Sequence, residues 1–216
     1  QMKREVIADK GIWVAKKRYI LNSHDIEGVR YKEPKLKIMG VEAVKSSTPA
    51  ACREKIKDAL KIIMNEDSKV LNSFIQDFRK DFMNLKPEMV AYPRSVNGLN
   101  KWTESHNLFK KGAPIHVKGA ILYNHLVKDK KLQGKYPYIQ EGDKIKFLHM
   151  KTPNTYQSTS ISFMTKLPEE LNLHNIIDYD TQFEKSFIEP LKFITDIIRW
   201  QIDGSYGTQA TLEEFF

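Results

Sequence analysis

The repeat pattern of this chain changes once, at Ser46-Ser47-Thr48-Pro49, and that switch limits the possible folds more than any other feature. Ahead of it, apolar and polar residues alternate with the two-residue period of a strand. Residues 12–21 read as one strand, with Lys17 and Tyr19 on one face and Lys16 and Arg18 on the other. His24-Asp25-Ile26-Glu27-Gly28 reads as a turn and Val29-Arg30-Tyr31 as the start of the returning strand. Lys35-Leu36-Lys37-Ile38 alternates again beyond a bend at Pro34. Behind the switch the period lengthens. Thr48 is a candidate N-cap, and Pro49 suits the first helical position. Cys52, Ile56, Ala59, Leu60, Ile63 and Met64 then fall at helical spacing. Asn65-Glu66-Asp67-Ser68 breaks the run. Val70, Leu71, Phe74, Ile75, Phe78 and Phe82 predict a second helix returning antiparallel to the first.

Further along, residues 87–111 are mixed and polar, punctuated by Pro87, Pro93 and Gly98. Residues 115–127 predict a helix and 143–150 a strand, with 153–160 a polar loop. The spacing of Ile176, Tyr179, Phe183, Phe187, Leu191, Ile194 and Ile198 predicts one long helix over 174–200, kinked at Pro190. The expected fold class is α+β: a small β segment, then a mainly helical region carrying a short β element, then a flexible tail.

Charge is distributed unevenly. The 216 residues carry a net charge of +8, with +5 in residues 1–45, +2 in 46–99, +7 in 100–151 and −6 in 152–216. Two basic blocks and an acidic end suit a cationic groove that holds a polyanion. In the first block the cations sit among β-type residues, with Trp13, Val14, Tyr19, Ile20 and Leu21 flanking Lys16-Lys17-Arg18. Lysines held by a rigid sheet favour a polyanion of fixed shape, and duplex nucleic acid is the commonest one.

Other classes are excluded or weak. With one cysteine, Cys52, a chain cannot build an internal disulfide or a cysteine-based zinc site, and a reducing compartment fits. No run of about 18 apolar residues is present, so no transmembrane helix and no membrane partner are expected. A chain opening at Gln1 reads as cut from a longer one. His24, His106, His116, His125, His149 and His174 show no metal-ligand spacing with a matching carboxylate. The sequence has no glycine-rich phosphate loop and no nucleophile elbow.

Lys16-Lys17-Arg18-Tyr19, the run Glu33-Pro34-Lys35-Leu36-Lys37-Ile38-Met39-Gly40, and Lys45-Ser46-Ser47-Thr48-Pro49 closely resemble the family B DNA polymerases of T-even-type bacteriophages. The resemblance begins near Glu5 and covers most of the chain. It includes Ile115-His116-Val117-Lys118-Gly119, Leu122-Tyr123-Asn124 and Glu184-Lys185-Ser186-Phe187-Ile188-Glu189-Pro190-Leu191. It implies that residues 1–46 are the end of the palm, 47–203 the thumb, and 204–216 a linker and sliding-clamp-binding peptide. It further implies that Lys17 and Lys45 reach the minor groove of the newly made duplex and that Tyr19 supports the primer end. Lys16, Arg18, Lys111, His116 and Lys118 would contact phosphates. Minor-groove acceptors occupy similar places in every correct base pair, which suits an enzyme that must hold any sequence.

In that family two palm aspartates hold two metal ions, and they lie upstream in an Asp-Thr-Asp-type motif. This chain lacks that motif, and its Asp178-Tyr179-Asp180 falls in the predicted final helix. It therefore supplies no catalytic residue and no cofactor site of its own. Magnesium is expected in the complete polymerase, and the chain alone is expected not to polymerise.

The chain ends Gln209-Ala210-Thr211-Leu212-Glu213-Glu214-Phe215-Phe216, which fits the clamp-binding box Q-x-x-L-x-x-F-F. Gln209, Leu212, Phe215 and Phe216 are the candidate clamp contacts, with the three apolar side chains forming one plug for a hydrophobic pocket. The expected partners are primer-template duplex, sliding clamp and the remaining polymerase domains, in the cytoplasm of the infected bacterial host. The alternative is a free-standing, clamp-associated duplex-binding protein with no polymerase partner.

Overall fold

The computed structural model describes residues 4–41, 43, 45–104 and 108–202. Gln209, Leu212, Phe215 and Phe216, the expected clamp contacts, lie outside these residues. The fold is α+β, as expected, with two three-stranded antiparallel sheets and a set of helices. It divides into two compact units. The first comprises Gln1–Lys45, Glu54–Asp81 and Phe187–Phe216; the second comprises Ser46–Arg53 and Phe82–Ser186.

In the first unit β1 (Val6–Ala15), β2 (Arg18–Ile26) and β3 (Val29–Met39) form a meander in the order β1-β2-β3. The expected strand over residues 12–21 is in fact two strands. Ala15 pairs with Arg18, which leaves Lys16 and Lys17 as the turn between them. A strand pattern cannot persist through a reversal, so the predicted division of these side chains between two faces does not hold. Strand β3 spans Pro34, but its pairing with β2 is irregular there: Ser23 faces Lys35 and Asp25 faces Arg30, which leaves residues 31–34 in the shift. As an edge strand, β3 tolerates a residue that has no N–H to donate.

Helices α1 (Ala50–Asn65) and α2 (Ser68–Met83) stand where the helical spacing predicted them. The Pro49 carbonyl accepts from Arg53 N–H at 3.0 Å, so the first helical residue is Ala50 rather than Pro49. Cys52, Ile56, Ala59, Leu60, Ile63 and Met64 are all buried. The link between the helices is capped by Asp67, whose carboxylate accepts from the N–H groups of Lys69 (2.8 Å) and Val70 (3.0 Å). Lys55 Nζ lies over the rings of Phe74 and Phe78, at 5.5 and 5.4 Å, a pairing that requires antiparallel helices. Val70 is exposed, contrary to its expected place on the inner face. In the same unit Phe78 meets Phe187 edge-on at 4.7 Å, and Lys10 Nζ donates to the Met64 carbonyl at 2.7 Å.

The second unit is built on α5 (Ile115–Asp129), preceded by the single turns α3 (Pro87–Val90) and α4 (Leu99–Trp102). Its sheet has the order β4 (Tyr92–Ser95), β5 (Lys144–His149), β6 (Ser160–Phe163). Strands β4 and β6 are additions to the expectation; each is four residues long, too short to show a period. The predicted C-terminal helix is broken. A single 3-10 turn at His174–Ile176 leads to α6 (Tyr179–Phe183), a wider π turn at Glu184–Ile188, and then α7 (Glu189–Thr195). Pro190 lies in the first turn of α7, where its missing N–H loses no helical bond. The break therefore lies just ahead of Pro190. Asp178 is the N-cap of α6: its carboxylate accepts from Thr181 N–H (2.9 Å) and Thr181 Oγ1 (2.7 Å).

Candidate nucleic-acid interface

Two hairpin turns shape the first sheet. At the tip joining β1 to β2, Lys17 adopts φ +62°, a left-handed conformation uncommon for a long side chain. The register shifts by one residue between Trp13 and Ala15, which makes this a bulged turn. Lys16, Lys17 and Arg18 are all exposed, and none makes a hydrogen bond or ion pair among the described residues. Tyr19 follows, half-buried, in a row across the sheet between Trp13 and Met39, which are 68% and 45% exposed.

Gly40 lies against this turn. A Cβ placed on it would fall 2.5 Å from the Lys17 carbonyl oxygen and 3.0 Å from Arg18 Cγ. Two of the three runs singled out in the sequence thus meet: the cationic turn touches the residue that follows β3, and Lys45 lies five residues further on. Five residues span at most about 18 Å, which confines the Lys45 backbone to the neighbourhood of that turn. Val41 and Ala43, in the connecting segment, are buried.

Among the other described cations of the sheet, all but the exposed Lys32 are occupied internally. Lys35 Nζ lies 4.1 Å from the centre of the Tyr31 ring, and Lys37 Nζ pairs with Glu5 at 3.4 Å. Arg4 and Arg30 flank the buried Asp25 carboxylate at 3.6 and 3.9 Å. The cationic surface of the sheet therefore narrows to the turn and Lys32.

In the second unit the candidate residues gather around the start of α5. Lys111 is exposed in the loop before it. His116 and Lys118 are half-buried in its first turn, and Lys118 Nζ lies 5.6 Å from the Phe109 ring centre. The carbonyls of this turn are held by β6: Ser160 Oγ donates to Ile115 O (2.6 Å) and Ser162 Oγ to His116 O (2.8 Å). Gly119 permits that closeness, since a Cβ there would fall 2.7 Å from the Ser162 nitrogen. Burial, and then the charge of Arg94, push the His116 imidazole below its ordinary value of 6.5. His116 is therefore neutral at pH 7 and offers a phosphate a hydrogen bond rather than a charge. Arg94 itself donates to the Ser47 and Pro93 carbonyls, both at 2.8 Å, and lies over the Tyr92 and Phe147 rings.

Sequence reasoning gave no role to Gly40, Arg94, Ser160 or Ser162. Only Gly40 had a local signal, a glycine at the end of an alternating run. Elsewhere the structure offers little competing chemistry. Burial raises the Cys52 thiol to about 12, against a smaller opposing effect of its contact with Ser186 Oγ at 3.2 Å, so it stays protonated. Among the described residues no three His, Cys, Asp or Glu side chains are grouped to hold a metal ion, and no helix is long and apolar enough to cross a membrane.

Comparison with known proteins defines the class. The chain is homologous to phage DNA-directed DNA polymerases over most of its length, and it spans about a fifth to a quarter of the length of the relatives it matches. It is 33% identical over 185 residues to the DNA-directed DNA polymerase of Enterobacteria phage T4, a match covering 84% of this chain and 20% of that protein. It is 34% identical over 228 aligned positions to the DNA-directed DNA polymerase of Escherichia phage RB69, covering 100% of this chain and 24% of that protein. No protein-family model matches the chain.

Proposed function

We propose that this chain is the duplex-gripping, C-terminal portion of a family B phage replicative polymerase. Residues 1–46 serve as the end of the palm, 47–203 as the thumb and 204–216 as the tether to a sliding clamp. The observation that carries this reading is the tip of the first hairpin. In a homologue of DNA-directed DNA polymerases, three consecutive exposed cations, Lys16, Lys17 and Arg18, stand without side-chain partners among the described residues on a turn braced by Gly40. Cations without internal partners are available to a polyanion. Lys17 and Lys45 reach minor-groove acceptors, while Lys16, Arg18, Lys111 and Lys118 neutralise phosphates and His116 donates a neutral hydrogen bond. Tyr19 supports the primer end.

Phosphoryl transfer requires the remainder of the polymerase. The sequence has no Asp-Thr-Asp motif, and the carboxylates that hold magnesium come from that remainder. In this role the chain works in the cytoplasm of the infected host.

The test is a duplex-binding titration of the parent against Lys17→Ala and Lys45→Ala at two salt concentrations. Each variant should bind about tenfold more weakly, the cost of one charged hydrogen bond. Affinity of the parent should fall steeply with salt and not depend on sequence. Parental affinity in both variants sinks the reading. The clamp tether is tested by replacing both Phe215 and Phe216 with Ala, which should abolish clamp binding and leave duplex affinity intact. A primed template with magnesium and this chain alone should show no extension.

A further inference from the structure

We propose that Gly40 is the positioning residue that aims the Lys17 ammonium, acting through the backbone of the hairpin turn. The inference rests on the reading of Lys17 as a duplex contact. Lys17 is a poor residue for its place: its φ of +62° suits Gly or Asn better than a long side chain. Nothing in its own side chain holds it there, since it is exposed and makes no bond among the described residues. What lies against its backbone is Gly40, itself left-handed at φ +66°. The separation of 2.5 Å between a Gly40 Cβ and the Lys17 carbonyl oxygen is impossible for real atoms, so any other residue must push the turn away. The atom in the way is backbone and cannot swing aside as a side chain would. The Arg18 Cγ beside it, at 3.0 Å, closes the other direction of relief. Met39, immediately before Gly40, pairs with Tyr19, so the contact is anchored to the register of the sheet. A ladder fixes the turn on one side and a bare glycine allows its approach on the other, and together they set where the Lys17 Cα stands.

Gly40→Ala tests this together with Lys17→Ala and the double variant. Binding is measured on a duplex of ordinary purines and on one whose purine N3 atoms near the primer end are replaced by carbon. The parent should lose about tenfold on the N3-lacking duplex. Gly40→Ala should already be about tenfold weaker on the ordinary duplex and lose no more on the altered one. The double variant should bind no worse than either single one, because both remove the same contact. Gly40→Asn accepts the left-handed φ at little cost and places the same Cβ against the Lys17 carbonyl, so it should behave as Gly40→Ala does. Thermal melting shows whether each variant is folded.

A folded Gly40→Ala that binds and discriminates like the parent overturns the proposal, and so do multiplying losses in the double variant. If both Gly40 variants fail to fold, Gly40 is a folding residue and the proposal is wrong. If Lys17→Ala binds the ordinary duplex as well as the parent does, the reading of Lys17 fails and the proposal falls with it. If Lys17→Ala is weakened and Gly40→Ala is not, the proposal alone fails.

Discussion

The first sheet contains two hairpin turns, and they are built on opposite terms. At Glu27-Gly28 both residues have positive φ, 55° and 88°, in the mirrored two-residue turn that matches strand twist. Asp25, whose side chain is 5% exposed, accepts from Gly28 N–H at 2.8 Å, and Arg4 and Arg30 stand by its other oxygen. The buried carboxylate there is fully engaged, and Glu27 N–H donates to the Glu5 carbonyl at 2.8 Å. At Lys16-Lys17 the turn itself has no glycine, its side chains have no capping carboxylate or ion pair among the described residues, and the strained position is held by a lysine. One turn is spent on stability and the other on what it presents to the outside. Two turns of one sheet thus differ in kind: one is satisfied internally and the other leaves its cations exposed.

The largest effect that would sharpen this contrast is in the structural turn. Asp25→Ala should cost about 2–3 kcal/mol in urea denaturation, because it removes a buried, charge-assisted cap, while duplex affinity stays at the parental value. A drop in affinity larger than the folding loss explains would break the contrast. Next comes Lys17→Gly, which relieves the left-handed strain and removes the cation. Stability should rise by about 0.5–1 kcal/mol as duplex affinity falls about tenfold. A variant that gained stability and kept its affinity would make the cationic turn an ordinary reversal.

The third experiment extends the comparison to the second unit. His116 has a lowered pKa in the fold, so its contribution to stability is complete above the unfolded value near 6.5 and is lost as pH falls through the lower folded value. An NMR titration should place its midpoint below 6.5, and His116→Gln should flatten the loss of stability between about pH 7 and 5. The smallest effect belongs to Lys35→Ala. That lysine is already engaged with Tyr31, so duplex affinity should stay within about twofold of the parent, the range of an exposed charge.

The contrast also explains what the sequence could and could not reveal. The helices α1 and α2 were legible because a buried stripe needs a 3.6-residue period, and the stripe is long enough to count. The turn at Lys16-Lys17 was hidden because no Gly, Asn, Asp or Pro marks it; its neighbours are β-formers, so it reads as mid-strand. Lys16, Lys17 and Arg18 do stand together and exposed at one turn, but their expected placement on opposite strand faces does not hold. Strands β4 and β6 are set by tertiary pairing rather than by their own pattern; β4 even carries Pro93. At the C-terminus, Phe183 and Phe187 are both fully buried, as their four-residue spacing suggests, but the π turn between α6 and α7 leaves no mark in that spacing. Gly40 was visible as a letter, and only the nearness of the Lys17 carbonyl gives it meaning.

The seam between α5 and β6 has a mechanical consequence. With Gly119 pressed to within contact of a strand backbone and two serine hydroxyls fastened to the carbonyls of the first helical turn, helix and strand form one plate. His116 cannot be adjusted on its own by sliding or rolling the helix. Any accommodation this unit makes to a bound molecule has to come from joints elsewhere, with the plate carried along unbent.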